Sequence, residues 1–489
     1  MAETWAWRRA AARLCARLLD PFRTGAGVDL WLVLAFVAIN TIVLINALRH
    51  DPLIGYDAPG HLRYIQALAG GSLPTVDQTG EFFSPPLPYV IGACATAWWG
   101  ASVAEAGKAA QLFQVLVSLL TTYSLLALGR EMGPGEGRTR LYALVLLGML
   151  PVYYKSFAMV RGEPYVALMA VLAALLWLRL TTSVWRWERD AVVLGVVLGL
   201  AALSRQWAFM LFPALLVHGA LVASKDRSRW CRHLAALAVA CVVAAVVGGW
   251  FYLSLLARHG TIMAFNRPGA PSFSLRNQPV SFYLGTGNGK LFRDPLRPSF
   301  PNQLVPQLYS ETWGDYGGYF IWWGRRSADG GLLTGKRVAR LLERHPAPAW
   351  LRTNRDTIGP FLGRVNLVSL LPSALGLAGL AMGCISLLRF TIRRVPAPED
   401  GHHALLVLMV GAFLAGYLWF LIMHPSPGAG DTIKATYVLH AFPLLAMLAA
   451  GFLDRVRVRS RMAQRLVLVG IGLVLLHNLP ALFSRFVPG

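Results

Sequence analysis

The sequence predicts an all-α polytopic membrane protein with about eleven transmembrane helices. Apolar residues make up 55% of the chain, charged residues make up only 14%, and the mean hydropathy is +0.50. A soluble protein could not cover that much apolar surface. The apolar residues also fall into runs of about 17–25 residues, the length that crosses about 30 Å of hydrocarbon.

The net charge of +22 would also suit a protein that binds nucleic acid. The basic residues, however, lie in short connections between the apolar runs, which is where membrane topology places them. We therefore expect membrane lipids as partners, and no nucleic acid.

The predicted spans, in chain order, are 29–48, 108–128, 140–156, 164–181, 190–205, 207–223, 234–257, 366–388, 404–423, 435–453 and 466–484. They divide the chain into a basic cytoplasmic N-terminus (1–28), a transmembrane core (29–257) with a first outward loop (49–106), a large extracytoplasmic loop (258–365) and C-terminal transmembrane helices (366–489). The runs 140–156 and 190–205 are short for a span.

The orientation follows from the basic residues. With the Arg-rich N-terminus inside, every second connection is basic, as the positive-inside rule requires. This alternation holds only if the stretch 87–100 does not cross the membrane. That stretch is short and ends with Trp98 and Trp99, which favours a helix in the membrane interface. Residues 58–69 carry an apolar helical face and predict a second interfacial helix.

Both large connections then face outward, and we expect the chemistry there. The expected location is a multi-pass position in a bacterial plasma (inner) membrane, with the active site on the outer side.

Ionisable side chains gather at the outward ends of the predicted spans. The candidates are Asp57 with His61, Glu81 alone, Lys155 with Arg161 and Glu163, Arg205, and Lys434 with Tyr437 and Asp431. Such groups are costly at a membrane boundary unless they are solvated or used. Asp57 is the strongest candidate because it lies in a Pro/Gly turn where nothing structural requires an acid.

Each candidate also has a purely structural interpretation. Glu163 can complement the N-terminus of a helix, Glu81 can be a turn residue, and His61 can be a polar residue on a helix face. The Lys and Arg side chains can reach lipid headgroups from the end of a span. The residues alone leave these alternatives open.

An acid and several cations at the outer membrane surface suit a lipid-linked phosphate. The phosphate would meet Lys and Arg side chains, and the head group would reach the acid. If the head group is a sugar, the carboxylate can take the proton of an acceptor hydroxyl, and that hydroxyl can attack the anomeric carbon. The cations would then stabilise the leaving phosphate.

At this point the chain resembles the GT-C superfamily of membrane glycosyltransferases, in the branch of the protein O-mannosyltransferases and lipid A aminoarabinose transferases. The resemblance covers roughly residues 29–260. The segments that carry it are Tyr56-Asp57, the helix from Tyr64 to Gly70, Leu73-Pro74, Glu81 to Tyr89, Arg161 to Tyr165, Trp250-Phe251-Tyr252 with His259-Gly260-Thr261, and Lys434 to Tyr437.

The resemblance implies a GT-C-like helical bundle and an inverting transferase that uses a polyprenyl-phosphate sugar and a lipid, glycan or protein acceptor. It assigns catalytic roles to Asp57, as the base, and to Glu163. Some members have a basic residue before the Pro pair, where this chain has Ser84. The phosphate is therefore expected to meet Lys155, Arg161, Arg205 or Lys434, and His61, Glu81 and Tyr437 are expected to bind substrate.

The first loop of the superfamily often carries Asp-Glu, whereas Ala58 follows Asp57 here. No metal ligand is predicted, the sequence identifies no cofactor, and a divalent metal is left open. The alternatives from other classes are a non-catalytic scaffold for envelope assembly and, ahead of it, a polytopic transporter or lipid flippase. Transporters often show repeated halves and paired broken helices, and the sequence shows neither plainly.

Overall fold

The protein is described here from a computed structural model. It describes residues 18–24, 27–133, 137–182, 187–226, 230–266, 272–321, 325–326, 332–333, 349–426 and 431–486. Most of the basic N-terminus, through residue 17, lies outside these described residues. The regular secondary structure of the described residues is helical apart from two antiparallel pairs of two-residue strands, β1 (Arg23–Thr24) with β2 (Gly27–Val28) and β3 (Arg325–Arg326) with β4 (Leu332–Leu333).

The α-helices are α1 (Leu30–Arg49), α2 (Ala58–Ala69), α3 (Val90–Trp99), α4 (Val103–Met132), α5 (Gly137–Gly148), α6 (Pro151–Phe157), α7 (Glu163–Thr182), α8 (Trp187–Ala202), α9 (Leu211–Lys225), α10 (Trp230–His259), α11 (Val280–Leu284), α12 (Leu304–Trp313), α13 (Ala349–Val368), α14 (Leu370–Ile392), α15 (Pro398–Met423), α16 (Phe442–Arg459) and α17 (Arg461–Asn478). The 3₁₀ helices are Asp20–Phe22, Leu87–Tyr89, Gln206–Met210, Leu275–Asn277, Lys290–Phe292, Ala435–Ala441 and Leu479–Leu482.

Within the described residues, nine helical segments are long and apolar enough to cross a membrane. They are Leu30–Arg49, Val103–Met132, Glu163–Thr182, Gln206–Lys225, Trp230–His259, Arg355–Ile392, Pro398–Met423, Ala435–Arg459 and Arg461–Leu482. Each overlaps one of the predicted spans, and the predicted class of all-α polytopic membrane protein is confirmed.

The two short predicted spans are not among these nine segments. The run 190–205 forms α8, which has 16 residues. The run 140–156 divides into α5 and α6, because Leu150 adopts an extended conformation before Pro151 begins α6. The proline ring disfavours helical geometry in the residue that precedes it. Hydropathy does not register such a break.

Both predicted interfacial segments form short helices. α3 has ten residues, and Trp98 and Trp99 at its end are 73% and 75% exposed. α2 buries one face, including Leu62 and Ile65, against α3 and α4. The placement of α2 and α3 in the membrane interface stays a prediction.

Among the nine segments, α7 and Ala435–Arg459 are the most buried, each with 72% of its apolar stretch buried. α7 lies between several other elements of the bundle. It packs against α4, α8 and the 3₁₀ helix Ala435–Ala441, which leads directly into α16. The starts of α2, of α7 and of this 3₁₀ helix lie at one end of the bundle. Their convergence forms the candidate site.

Candidate active site

A cavity of about 620 Å³ opens among the first loop, the 3₁₀ helix Gln206–Met210, α15 and the segment before Ala435. The predicted site residues among its lining are Asp57, Glu81, Arg205, Lys434 and Tyr437. Apolar side chains line another part of the wall, among them Met210, Trp419, Phe420 and Met423. The cavity therefore joins a charged region to an apolar one.

Asp57 is the residue immediately before α2, with φ 57° and ψ 21°. This left-handed conformation costs roughly 1–2 kcal/mol in a residue with a Cβ atom. An aspartate in this position commonly caps the helix, but the Asp57 side chain makes no capping hydrogen bond. Its Oδ2 atom instead accepts a hydrogen bond of 2.9 Å from Lys434 Nζ. The carboxylate is thus aimed at the cavity rather than at its own helix.

Lys434 precedes the 3₁₀ helix Ala435–Ala441 and is nearly buried. Its Nζ atom lies 4.9 Å from the centre of the Tyr56 ring and 5.3 Å from that of Tyr437. The charge of Lys434 holds the pKa of Asp57 well below its usual range, although burial acts in the opposite direction. Burial likewise opposes the Lys434 charge, but Asp57 keeps the pKa of Lys434 above its ordinary value. Both groups are therefore ionised at neutral pH.

Glu163 begins α7 and is completely buried. Its carboxylate accepts hydrogen bonds from Arg161 Nε (3.0 Å), Arg161 Nη2 (3.1 Å) and Arg205 Nε (3.1 Å). Gly162 makes this approach feasible, because a Cβ atom there would lie 2.1 Å from the carbonyl oxygen of Ser204. Glu163 does not line the cavity. It lies behind the wall and holds two guanidinium groups in place.

Arg205 extends this network to the first loop. Its Nη1 atom donates to Ser84 Oγ (2.5 Å) and to Glu81 Oε2 (3.4 Å), and Ser84 Oγ also donates to Glu81 Oε2 (2.7 Å). Burial disfavours the charge of Arg205, but Glu163 and Glu81 raise its pKa well above the ordinary value. A permanent cation thus lies beside Ser84, just before Pro85.

His61 lies on α2 and is buried. Its Nδ1 atom is 2.8 Å from the hydroxyl of Tyr89 and 3.8 Å from Glu81 Oε2. Burial lowers the pKa of His61 to about 4, so its ring is neutral at neutral pH. His61 is not part of the cavity lining, and its role in substrate binding stays a prediction.

Lys155 and Arg161 also lie behind the cavity wall rather than on it. Lys155, near the end of α6, is fully buried with its Nζ atom 2.5 Å from Glu311 Oε2 and 3.9 Å from Asp315 Oδ1. Arg161 donates from Nη1 to the carbonyl oxygen of Tyr56 at 3.2 Å. Arg161 therefore bridges Glu163 to the residue before Asp57, so the two predicted catalytic acids belong to one connected network.

The sequence interpretation missed Arg297 and gave no role to Tyr56 or Glu311, all of which line the cavity. Arg297 Nη2 lies 2.5 Å from Asp431 Oδ1. This ion pair links the polar region after α10, residues 260–321, to the segment that carries Lys434. This contact joins residues that are far apart in the chain. No periodicity or local motif in the sequence indicates it.

Within the described part of the chain, no group of three or more His, Cys, Asp or Glu residues is arranged to hold a metal ion. His259 and His424 both line the cavity. Their rings contact Phe82 and Phe265, at centroid distances of 4.9 Å and 4.5 Å. A role for a divalent metal stays a prediction.

Comparisons with known proteins agree with this architecture. The family model described as dolichyl-phosphate-mannose-protein mannosyltransferase matches residues 85–252. The structure of an oligosaccharyltransferase from Archaeoglobus fulgidus, tethered to an acceptor peptide, is similar over 94% of this chain and 56% of that one, with 15% identity and a TM-score of 0.51. The predicted resemblance to the GT-C superfamily is confirmed.

Two structures of ArnT from Cupriavidus metallidurans are also similar. The form bound to undecaprenyl phosphate has 16% identity and a TM-score of 0.48, and the apo form has 17% identity and a TM-score of 0.46. They cover 90% and 88% of this chain, which spans 63% and 61% of the ArnT chain. No curated protein matches the chain.

The region that the family model matches contains part of the candidate site. Residues 85–252 include Lys155, Arg161, Glu163 and Arg205, whereas Asp57 and Lys434 lie outside it. The assignment of Asp57 and Lys434 to the site therefore depends on the geometry of this chain and not on the family match.

Proposed function

We propose that the protein is an inverting membrane glycosyltransferase, with Asp57 as the general base. It moves a sugar from a polyprenyl-phosphate donor to an acceptor hydroxyl on the extracytoplasmic side of the membrane. The observation that carries this proposal is the Asp57 carboxylate, which faces a cavity beside Lys434 and does not cap its own helix. The family match and the GT-C-like fold support the same class of reaction.

The two parts of the cavity wall suit the two parts of such a donor. The polyprenyl chain would lie along Met210, Trp419, Phe420 and Met423, because apolar surface binds a hydrocarbon chain through the hydrophobic effect. The phosphate would lie at the charged part of the wall. The sugar would then project toward Asp57.

Of the predicted phosphate partners, Lys434 and Arg205 line the cavity, and Lys155 and Arg161 lie behind them. We assign direct phosphate contact to Lys434 and Arg205. Arg205 donates to Ser84 Oγ, and it therefore supplies a cation where the superfamily resemblance leads us to expect one. Arg161 and Glu163 position Arg205 and the Asp57 turn through hydrogen bonds.

Lys434 links donor binding to the activity of the base. In the free protein it pairs with Asp57 and lowers the pKa of that carboxyl, which makes the carboxylate a weak base. A phosphate that draws Lys434 away would raise the basicity of Asp57 at the moment when the sugar is present. This exchange favours binding of the donor before transfer begins.

In the transfer step, Asp57 takes the proton of the acceptor hydroxyl, and the hydroxyl oxygen bonds to the anomeric carbon from the side opposite the phosphate. The bond between the anomeric carbon and the phosphate oxygen breaks, and its electron pair leaves with polyprenyl phosphate. Lys434 and Arg205 stabilise that charge. In this scheme Glu81 and Tyr437, which line the cavity, hydrogen-bond the sugar, and His61 acts through Glu81.

The test is transfer by the purified protein in proteoliposomes that contain polyprenyl-phosphate sugars labelled in the sugar. We expect the label to move from the lipid to an acceptor, with inversion at the anomeric carbon as measured by NMR. Movement of the intact labelled lipid or of a free solute between leaflets, without transfer, would contradict the proposal and support the transporter or flippase alternative.

A further inference from the structure

Asp57 has a backbone conformation that its own contacts do not explain. It is a left-handed residue at φ 57° whose side chain makes no capping hydrogen bond. Its carboxylate is half exposed, and its partner Lys434 belongs to a distant part of the chain. The position of Asp57 must therefore depend on how the turn before it is held.

Tyr56 is the part of that turn with the firmest contacts. Its carbonyl oxygen accepts a hydrogen bond of 3.2 Å from Arg161 Nη1. Its hydroxyl donates to Glu311 Oε2, and its ring packs edge-on against Tyr319 with centroids 4.7 Å apart. Tyr56 is thus fixed at its backbone, its ring and its hydroxyl, and it is covalently joined to Asp57.

Glu311 is suited to hold that hydroxyl in one place. It lies near the end of α12 and is 1% exposed. Its Oε1 atom accepts from the backbone N–H of Gly317 (2.6 Å), and its Oε2 atom accepts from Lys155 Nζ (2.5 Å) as well as from Tyr56. Space is tight here, because a Cβ atom on Gly317 would lie 3.0 Å from the Tyr56 hydroxyl. Buried acceptors with all partners satisfied give rigid geometry.

We propose that Glu311 is a positioning residue that holds Tyr56, and through Tyr56 the turn that directs Asp57 into the cavity. The inference rests on the proposed function for its catalytic meaning. It gives the polar region after α10 a direct part in the site, since Glu311 comes from a helix 255 positions further along the chain than Tyr56. Glu311 itself takes no proton and contacts no substrate in this scheme.

Tyr56→Phe isolates this effect, because it removes one hydroxyl and leaves the ring and the Lys155–Glu311 ion pair in place. The matched control is Tyr309→Phe, because Tyr309 lies on the same helix as Glu311. This substitution removes a hydrogen bond of 2.8 Å from the Tyr309 hydroxyl to the carbonyl oxygen of Asn366. We expect Tyr56→Phe to lower kcat by about 10- to 100-fold, since a misplacement near 1 Å has such consequences. The KM for the donor and the thermal stability should match those of Tyr309→Phe. A kcat equal to that of the control would overturn the inference.

The role of Glu311 is tested by repeating Tyr56→Phe in a Glu311→Gln background. If Tyr56 acts through Glu311, the loss of its hydroxyl lowers kcat by a smaller factor there than in the wild type, because coupled residues are not additive. An equal factor in both backgrounds would show that Tyr56 acts without Glu311 and would contradict the proposal.

A cryo-EM structure of Tyr56→Phe decides the inference independently of any turnover. We expect Asp57 to leave its left-handed conformation or to lose its contact with Lys434. An unchanged Asp57 would overturn the inference, whether or not the wild type transfers a sugar. A wild-type protein without transfer activity would instead count against the proposed function alone.

Discussion

Asp57 and Lys434 determine each other's charge. Lys434 keeps the Asp57 carboxyl ionised well below the ordinary aspartate range, and burial alone would raise its pKa. In the free protein the base is therefore ionised at neutral pH and far into the acid range. The ion pair contributes stability above the pKa that Asp57 has in the unfolded chain, and this stability is lost as the pH falls toward the folded value.

This coupling predicts a change in the pH profile of Lys434→Gln. Without the lysine, the pKa of Asp57 rises, so the acid limb of kcat/KM moves to higher pH. The KM for the donor should also increase, because a phosphate contact is lost. The measurement is kcat/KM from about pH 4 to 8. An ordinary aspartate, with a pKa of about 3.9, begins to take up protons at the acid end of this range.

The control for the pH profile is Lys290→Gln, which removes an exposed lysine outside the cavity lining. It should behave like the wild type. An acid limb at the same pH in Lys434→Gln and the wild type would show that Lys434 does not set the pKa of Asp57.

The start of α7 is fastened to its surroundings by a buried charge network. Glu163 joins Arg161 to Arg205, and Arg205 reaches Glu81 and Ser84 in the first loop. Removal of one partner from a buried pair leaves an uncompensated charge, which is strongly destabilising. The network thus connects the stability of α7 with the shape of the cavity wall.

We predict that Glu163→Ala lowers the free energy of unfolding by about 3–5 kcal/mol. The matched control is Glu131→Ala, because Glu131 pairs with Arg179 where both side chains are partly exposed, at 31% and 47%. Such a pair contributes about 0–1 kcal/mol. Unfolding of both variants in detergent gives the comparison, and equal stabilities would contradict the buried network.

The helices show what the sequence can and cannot predict. Apolar runs predict the long helices because the hydrocarbon thickness fixes their length. They do not reveal that Pro151 divides the run 140–156, since proline is read there as one more residue of an apolar segment. For the site, the sequence predicts Asp57 as the base candidate, because its turn has no structural need for an acid.

The partners in the site were harder to predict. Lys434 was expected to bind phosphate, but nothing in the sequence indicates that it pairs with Asp57, 377 positions away. The contact between Tyr56 and Glu311 is equally remote. Such pairs depend on how the helices pack in three dimensions. No local pattern in a single sequence indicates that packing.

The fold as a whole brings the first loop, α12 and the segment before Ala435 to the same end of the bundle. The proposed function requires that end to face outward. We predict that a membrane-impermeant maleimide labels Asp77→Cys in intact cells and does not label Arg394→Cys, in a background without the native cysteines. Both positions are exposed.

Lysis before labelling is the control for the topology experiment, because it should make both cysteines reactive. Labelling of Arg394→Cys but not of Asp77→Cys in intact cells would invert the orientation. The site would then lie on the cytoplasmic side, contrary to the proposal.

The role of Asp57 as the general base is tested by the transfer rate of Asp57→Asn in proteoliposomes with a labelled polyprenyl-phosphate sugar. Asp77→Asn is the control, because Asp77 is an exposed acid in the same loop. We expect Asp57→Asn still to bind the donor but to transfer its sugar about 10²- to 10⁴-fold more slowly, because a general base is lost. Asp77→Asn should keep the wild-type rate. A folded Asp57→Asn variant that transfers sugar at the wild-type rate would show that Asp57 is not the base.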